Sequence, residues 1–155
     1  MRFGFFDQLP CAPGHSELQR YKDIIAQIEL GDAVGFDTVW LGEIHFIREF
    51  SILADPLMVL AAAAQRTSRI RLGTAVTLLP LHSPIKIAEE AAIADILSDG
   101  RLEFGVGGVS RDTTRVMASR PRRAAHASTK RSTSFSRRGQ RTPFPLMGST
   151  FRRAN

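Results

Sequence analysis

The apolar positions of this chain switch repeatedly between a short continuous run and a helical period. RFGFF (2–6) is a short apolar run ended by the turn-rich DQLPCAPG, and it reads as a buried strand. Ser16 and Gln19 then have the spacing of a capping box. Leu18, Tyr21, Ile25 and Ile28 recur at steps of three and four, which predicts a helix with one apolar face, and Gly35 is its predicted stop. DTVWL (37–41), rich in β-formers, is the second predicted strand. Asp55 and Pro56 give N-cap and first-turn signals for a helix over LMVLAAAAQR. RIRLGTAVTL (69–78) predicts a third strand, Ser83 and Pro84 repeat the cap-plus-proline start for IKIAEEAAIADIL, Gly100 closes that helix, and RLEFGVG (101–107) is the fourth strand.

This β-α-β-α-β-α-β order predicts a parallel α/β sheet with right-handed crossovers. The nearly continuous apolar strands predict a sheet covered on both faces. An open doubly wound sheet and a barrel begin in the same way, and in both the function sits at the carboxyl ends of the strands. That rule selects Phe6–Asp7, Gly42–Phe46, Thr74–Thr77 and Gly105–Gly108.

Charge divides the chain in two. Residues 1–112 hold all 15 acidic residues and 10 of the 21 Lys and Arg, for a net −5; residues 113–155 carry +11 and no acid. The expected organisation is a domain over 1–112 followed by a basic, low-complexity and disordered tail over 113–155. Eleven such charges suit salt-sensitive phosphate binding, so a small α/β module with a nucleic-acid-binding or acidic-surface-binding tail is the alternative reading. Against it, the tail's only aromatics are Phe135, Phe144 and Phe151, and no reading motif surrounds them. The single Cys11 excludes an internal disulfide. The N-terminus lacks a signal-peptide pattern and no run reaches the roughly 18 apolar residues of a membrane span, so a cytoplasmic protein without a membrane partner is expected.

GEIHF (42–46) brings a carboxylate and an imidazole to the functional face. His45 is a candidate proton donor or acceptor, or a histidine satisfied by loop backbone; Glu43 is a candidate for orienting a ligand, or for binding loop amides. GTAVT (73–77) is small enough for a flat ligand to approach its backbone, or for ordinary barrel packing. GVGG (105–108) offers backbone N–H groups to phosphate, without completing a dinucleotide fingerprint because Ser110 replaces the third glycine. His82, in the polar-proline loop PLHSP, reads as structural, and His15 and His126 have no partner pattern. No spacing indicates zinc, a P-loop or a nucleophile elbow.

VGFDTVWLGEIHF (34–46), RIRLGTAVTLLPLHSPIKIAEE (69–90) and DGRLEFGVG (99–107) together resemble the bacterial-luciferase-like flavin-dependent monooxygenases, over about residues 1–112. The resemblance implies the N-terminal part, about four strands, of a (β/α)8 TIM barrel that binds FMN, reduced by a separate flavin reductase, at the carboxyl ends of its strands. It implies oxidation of a small organic substrate by O2 activated on the flavin; some relatives use a deazaflavin instead, and full-length relatives are often dimeric. It places Glu43 and His45 in the catalytic pocket, makes Thr74, Ala75, Val76 and Gly107 cofactor-binding, and puts a cis non-proline peptide at Ala75–Val76. Two departures stand out. Luciferase has two tandem histidines after the glutamate, and Ile44 occupies the first place, which argues against an aldehyde reaction of the luciferase type. Gly108 stands where many members have an arginine that helps hold the FMN phosphate. Such a barrel typically needs about 250 residues, so this chain is expected to be a truncated form, with two open sheet edges and one uncovered core face, and to be inactive by itself.

The tail itself admits a second decoding. Read one base upstream with permitted codons, Arg123 to Gly139 can become ESRARFDEALDIILKAW, whose apolar residues recur at helical spacing and whose acids remove the compositional break. The expectation is a change of reading frame near Asp112 and Thr113, with RRAAHASTKRSTSFSRRG as out-of-frame translation.

Overall fold

The computed structural model describes residues 1–109, and the tail over 113–155 lies outside them. Among the described residues the elements run β1 (Gly4–Asp7), α1 (Glu17–Val34), β2 (Thr38–Leu41), α2 (Pro56–Ala64), β3 (Arg71–Thr74), β4 (Thr77–Leu78), a 3-10 turn (Leu79–Leu81), α3 (Pro84–Leu97), β5 (Leu102–Glu103) and β6 (Val106–Gly107). β1, β2, β3 and β5 form one parallel sheet in that order, with Leu41 opposite Asp7 and Thr74 and with Leu72 opposite Leu102. β4 and β6 form a second parallel pair, Thr77 opposite Val106. The sheet follows chain order without the reversal that marks a doubly wound sheet, so the progression is that of a barrel.

Local chemistry sets the helix starts. The Ser16 hydroxyl accepts the Gln19 N–H at 3.3 Å, while the Gln19 side chain turns to Asp23 rather than back to the cap, so only half of the capping box forms. Asp55 accepts the Met58 N–H at 3.2 Å ahead of Pro56. Ser83 precedes Pro84 as expected, but its hydroxyl makes no capping hydrogen bond. Gly35 ends α1 in the left-handed region at φ 96° and donates its N–H to Gly31 O.

Three expectations are corrected. The predicted third strand is two, β3 and β4, separated at a cis peptide between Ala75 and Val76. The predicted fourth strand is likewise β5 and β6, parted at Phe104–Gly105. The buried face of α1 is Ile24, Ile28 and Gly31, with Tyr21 and Ile25 half-buried and Leu18 66% exposed. Gly31 rotates the helix: it packs so close to the Phe5 ring and Ile70 that a Cβ there would fall within 3.0 Å of Phe5.

The core lies on one side of the sheet. Val39, Leu41, Ile70 and Leu72 pack with Ile24 and Ile28 of α1, Leu60, Ala63 and Ala64 of α2, and Leu9 and Leu53 from the loops. A smaller cluster of Leu57, Ile87 and Ala94 joins α2 to α3. The other side carries Phe6, 52% exposed, and the half-buried Trp40, whose indole lies over Gly73. Full cover on both faces, expected from the apolar runs, is therefore not seen among the described residues. No described helix is long and apolar enough to cross a membrane.

Candidate active site

The carboxyl ends of the strands meet over the break between β3 and β4. Parallel register brings Leu41 beside Thr74, so the residues that follow each strand become neighbours. Ala75 N–H donates to Leu41 O at 2.7 Å and Glu43 N–H donates to Val76 O at 3.3 Å. Gly42 fits this corner because a Cβ would lie 3.3 Å from Ala75 O and from the Phe6 ring.

Glu43 is the centre of the polar cluster. Its side chain is fully buried, with three donors around it. The Leu78 backbone N–H reaches Oε2 at 2.8 Å, His45 Nε2 reaches Oε1 at 2.7 Å, and His82 Nε2 lies 2.9 and 3.0 Å from the two oxygens. A buried carboxylate without donors would carry a penalty of several kcal/mol, about the scale measured for unpaired buried charges; here both oxygens are satisfied. The two imidazoles are about one-fifth exposed, so each is partly open to solvent while the carboxylate is not. His82, read from the sequence as structural, is a second partner of Glu43 and touches both of its oxygens, whereas His45 touches one. Among the described residues no group of three or more His, Cys, Asp or Glu is placed to hold a metal ion.

Below the cluster, the glycines press β5 and β6 against the break. The Thr74 hydroxyl donates to Gly105 O at 2.7 Å and accepts the Gly105 N–H at 2.9 Å, and Gly105 O also accepts the Thr77 N–H at 2.9 Å. A Cβ on Gly105 would lie within 3.0 Å of Thr74 O, and one on Gly107 within 3.0 Å of the Val76 side chain. Of the four predicted cofactor residues, Ala75, Val76 and Gly107 are thus gathered at one half-exposed spot, whereas Thr74 is buried and commits its hydroxyl to Gly105. Among the described residues, nothing lies within 4 Å of where a Cβ on Gly108 would sit. The buried Thr77 hydroxyl has no hydrogen-bond partner among the described residues.

Two loops frame the cluster. Asp7, at the end of β1, receives both Arg20 Nη2 contacts, at 2.8 and 2.6 Å, and accepts the Leu9 N–H at 2.5 Å. Arg48, three residues after His45, donates to the carbonyls of Cys11, Ala12 and His15 at 3.1, 3.3 and 3.0 Å, and to Glu17 at 2.9 Å. Cys11 N–H returns a bond to Arg48 O, and Ile52 N–H one to Leu9 O, so the loop before α1 and the loop carrying His45 are laced together. Tyr21 adds a 2.6 Å bond from its hydroxyl to Ile52 O; burial, then Glu17 and Asp55, push its phenol above the usual range. Phe46 turns the chain at φ 67°, and its ring lies 5.6 Å from that of His45.

Residues 1–143 match the family model of the luciferase-like monooxygenases, extending past Asp112. The oxygenase component of a flavin-dependent trigonelline monooxygenase from Acinetobacter baylyi is 36% identical over 107 residues, 68% of this chain and 29% of that protein. The oxygenating constituent of 3,6-diketocamphane monooxygenase from Pseudomonas putida, a type II Baeyer–Villiger enzyme solved with FMN, superposes with a TM-score of 0.70 at 26% identity, over 77% of this chain and 32% of that one. The coenzyme F420-dependent tetrahydromethanopterin reductase of Methanopyrus kandleri gives 0.58 at 25% identity, over 76% and 30%. The chain therefore spans about a third or less of the length of these relatives.

Proposed function

The chain belongs to the luciferase-like monooxygenase family, and from that premise we propose that its site serves an FMN-dependent monooxygenase acting with O2 on a small organic substrate in the cytoplasm. The observation that carries the reading is the buried Glu43 carboxylate, holding two imidazoles beside the Ala75–Val76 peptide at the carboxyl ends of the strands. The residues fit a flat heteroaromatic group: Gly42 and Gly107 let the backbone pack directly against Ala75 O and the Val76 side chain, the small, half-exposed Ala75 and Val76 form the floor, and the polar groups sit to one side. Ala75, Val76 and Gly107 would hold the flavin, with Thr74 fixing that floor through Gly105. When bound, the flavin supplies the redox chemistry and O2 activation. The chain's own part is to orient ligand against His45, to hold a proton on an imidazole backed by Glu43, and to keep water from the buried carboxylate.

The trigonelline oxygenase is one component of its system, which supports a separate flavin reductase as partner here. The F420-dependent neighbour supports a deazaflavin as the alternative cofactor. Titrating the purified chain with FMN, read by flavin fluorescence, tests the proposal. Saturable quenching that a Gly107→Val variant weakens at least tenfold is expected. An absence of quenching at millimolar FMN, or quenching equally strong in that variant, counts against it. A duplex DNA titration at physiological salt covers the tail-binding alternative; no complex is expected there, whereas one that persists would favour that alternative.

A further inference from the structure

The hydrogen bonds around Glu43 constrain proton positions as well as atoms. A backbone amide can only donate, so the Leu78 N–H at 2.8 Å fixes Oε2 as an acceptor. Oε1 is shared: His45 Nε2 lies at 2.7 Å and His82 Nε2 at 2.9 Å. An ionised carboxylate only accepts, so each imidazole must present a proton on Nε2. A neutral imidazole with Nε2–H has its lone pair on Nδ1. One carboxylate thereby sets the tautomer of two rings that lie 37 residues apart in sequence.

We propose that His82 is a second ligand-facing imidazole of this site, locked with His45 as a matched pair of Nε2–H tautomers by Glu43, so that the site offers two Nδ1 acceptors to a hydroxylic or N–H-bearing ligand. The ligand-facing role rests on the flavoenzyme reading; the tautomer lock stands on the hydrogen bonds alone. A proton taken up at either Nδ1 makes an imidazolium in direct contact with the carboxylate, so the charge formed is balanced inside the cluster. This is the logic by which a buried carboxylate orients a catalytic histidine, here applied to two rings at once. Each ring is partly exposed while the carboxylate is not, which divides the labour between a buried anchor and two reachable bases.

Nitrogen-15 NMR of the labelled full chain, with long-range proton–nitrogen correlations at neutral pH, reads the tautomers directly. Signals are assigned by losing one ring at a time in His45→Gln and His82→Gln. Both rings are expected to show protonated Nε2 and unprotonated Nδ1, and Glu43→Gln, with fold checked by circular dichroism, is expected to give both rings mixed tautomers. A wild-type ring with its proton on Nδ1 overturns the lock without need of any variant. Phenol, as a small hydroxylic probe, and FMN are then added separately. Perturbation of both Nδ1 signals by phenol is expected; a change at His45 alone, or at neither ring, overturns the role given to His82. If phenol perturbs both rings while FMN neither perturbs them nor loses fluorescence, the flavin reading fails and the paired-acceptor site stands.

Discussion

Gly105→Ala isolates the contact on which the floor of the site depends. The added Cβ would lie within 3.0 Å of Thr74 O, a backbone atom that cannot swing aside. Relief requires moving Gly105 or Thr74, and three hydrogen bonds converge on Gly105: two with the Thr74 hydroxyl, at 2.7 and 2.9 Å, and one from Thr77 N–H at 2.9 Å. Overpacking of this kind costs about 1–3 kcal/mol, and a weakened buried hydrogen bond adds about 0.5–1.5 kcal/mol. Counting one such bond, the loss is about 2–4 kcal/mol, a large share of a typical domain's stability. With a urea m-value of about 2 kcal/mol/M, the midpoint falls by about 1–2 M. Equilibrium urea unfolding followed through Trp40, the single tryptophan, measures it. Gly108→Ala is the matched control, since a Cβ there meets nothing within 4 Å among the described residues, and it should change stability by less than about 0.5 kcal/mol. Equal midpoints for the two variants would refute the steric argument.

Further outcomes follow from other parts of the molecule. At Asp32, burial alone would raise the carboxyl, but the backbone N–H groups of Ser68, Ile70 and Arg69 and the Ser68 hydroxyl outweigh it and hold it below the usual range. A depressed folded value means that this stabilisation is full above the unfolded value of about 3.9 and is lost as pH falls through the folded value; urea midpoints of wild type and Asp32→Asn should therefore converge between about pH 5 and pH 2, and a gap that persists across that range contradicts the assignment. Arg48→Met removes the four donations that tie the loop before α1 and Glu17 to the loop carrying His45, and because the side chain is 40% exposed the expected effect is a local loosening rather than a global loss. Amide exchange over residues 11–17 should quicken, and unchanged exchange would show that the clasp contributes nothing. Sequencing the coding DNA around Thr113 tests the frame change: reading one base upstream should continue an open frame that encodes an acid-containing amphipathic helix, and an immediate stop codon there would sink the idea.

Legibility in the sequence followed the range of the interaction involved. Element order, the Asp55 and Ser16 caps and the Gly35 stop were readable because each is decided within a few residues. The α1 face was misread by one helical step because Gly31, which carries no apolar side chain to count, is the residue that meets Phe5 and Ile70. The breaks at Ala75–Val76 and Phe104–Gly105 leave no trace in hydrophobicity, since the residues at each break are apolar or glycine and no polar or proline residue marks the interruption. Once the breaks exist, however, they are answered by each other: Thr77 N–H bonds Gly105 O across them, and β4 pairs with β6 beyond them.

The same reasoning explains why His45 could be nominated and His82 could not. His45 shares a five-residue motif with Glu43, so a two-residue spacing advertises the pair. His82 lies 39 residues from Glu43, and although it falls inside the family-like block at 69–90, that block by itself does not tie it to Glu43. Its contact arises in three steps: register sets Leu41 opposite Thr74, the chain then crosses from β3 to β4 so that Leu78 N–H meets Oε2, and the 3-10 turn at Leu79–Leu81 brings the following His82 back to the same carboxylate. Each step uses backbone geometry, and none demands a particular side chain before the last. A search for the site that weighs polar residues within about five positions after each strand end, across all strands together, would have placed His82 beside Glu43, because β4 ends at Leu78. Treating β3 and β4 as one strand also ended at Leu78, so what was missing was the pairing of strand ends through register, not the strand boundary itself.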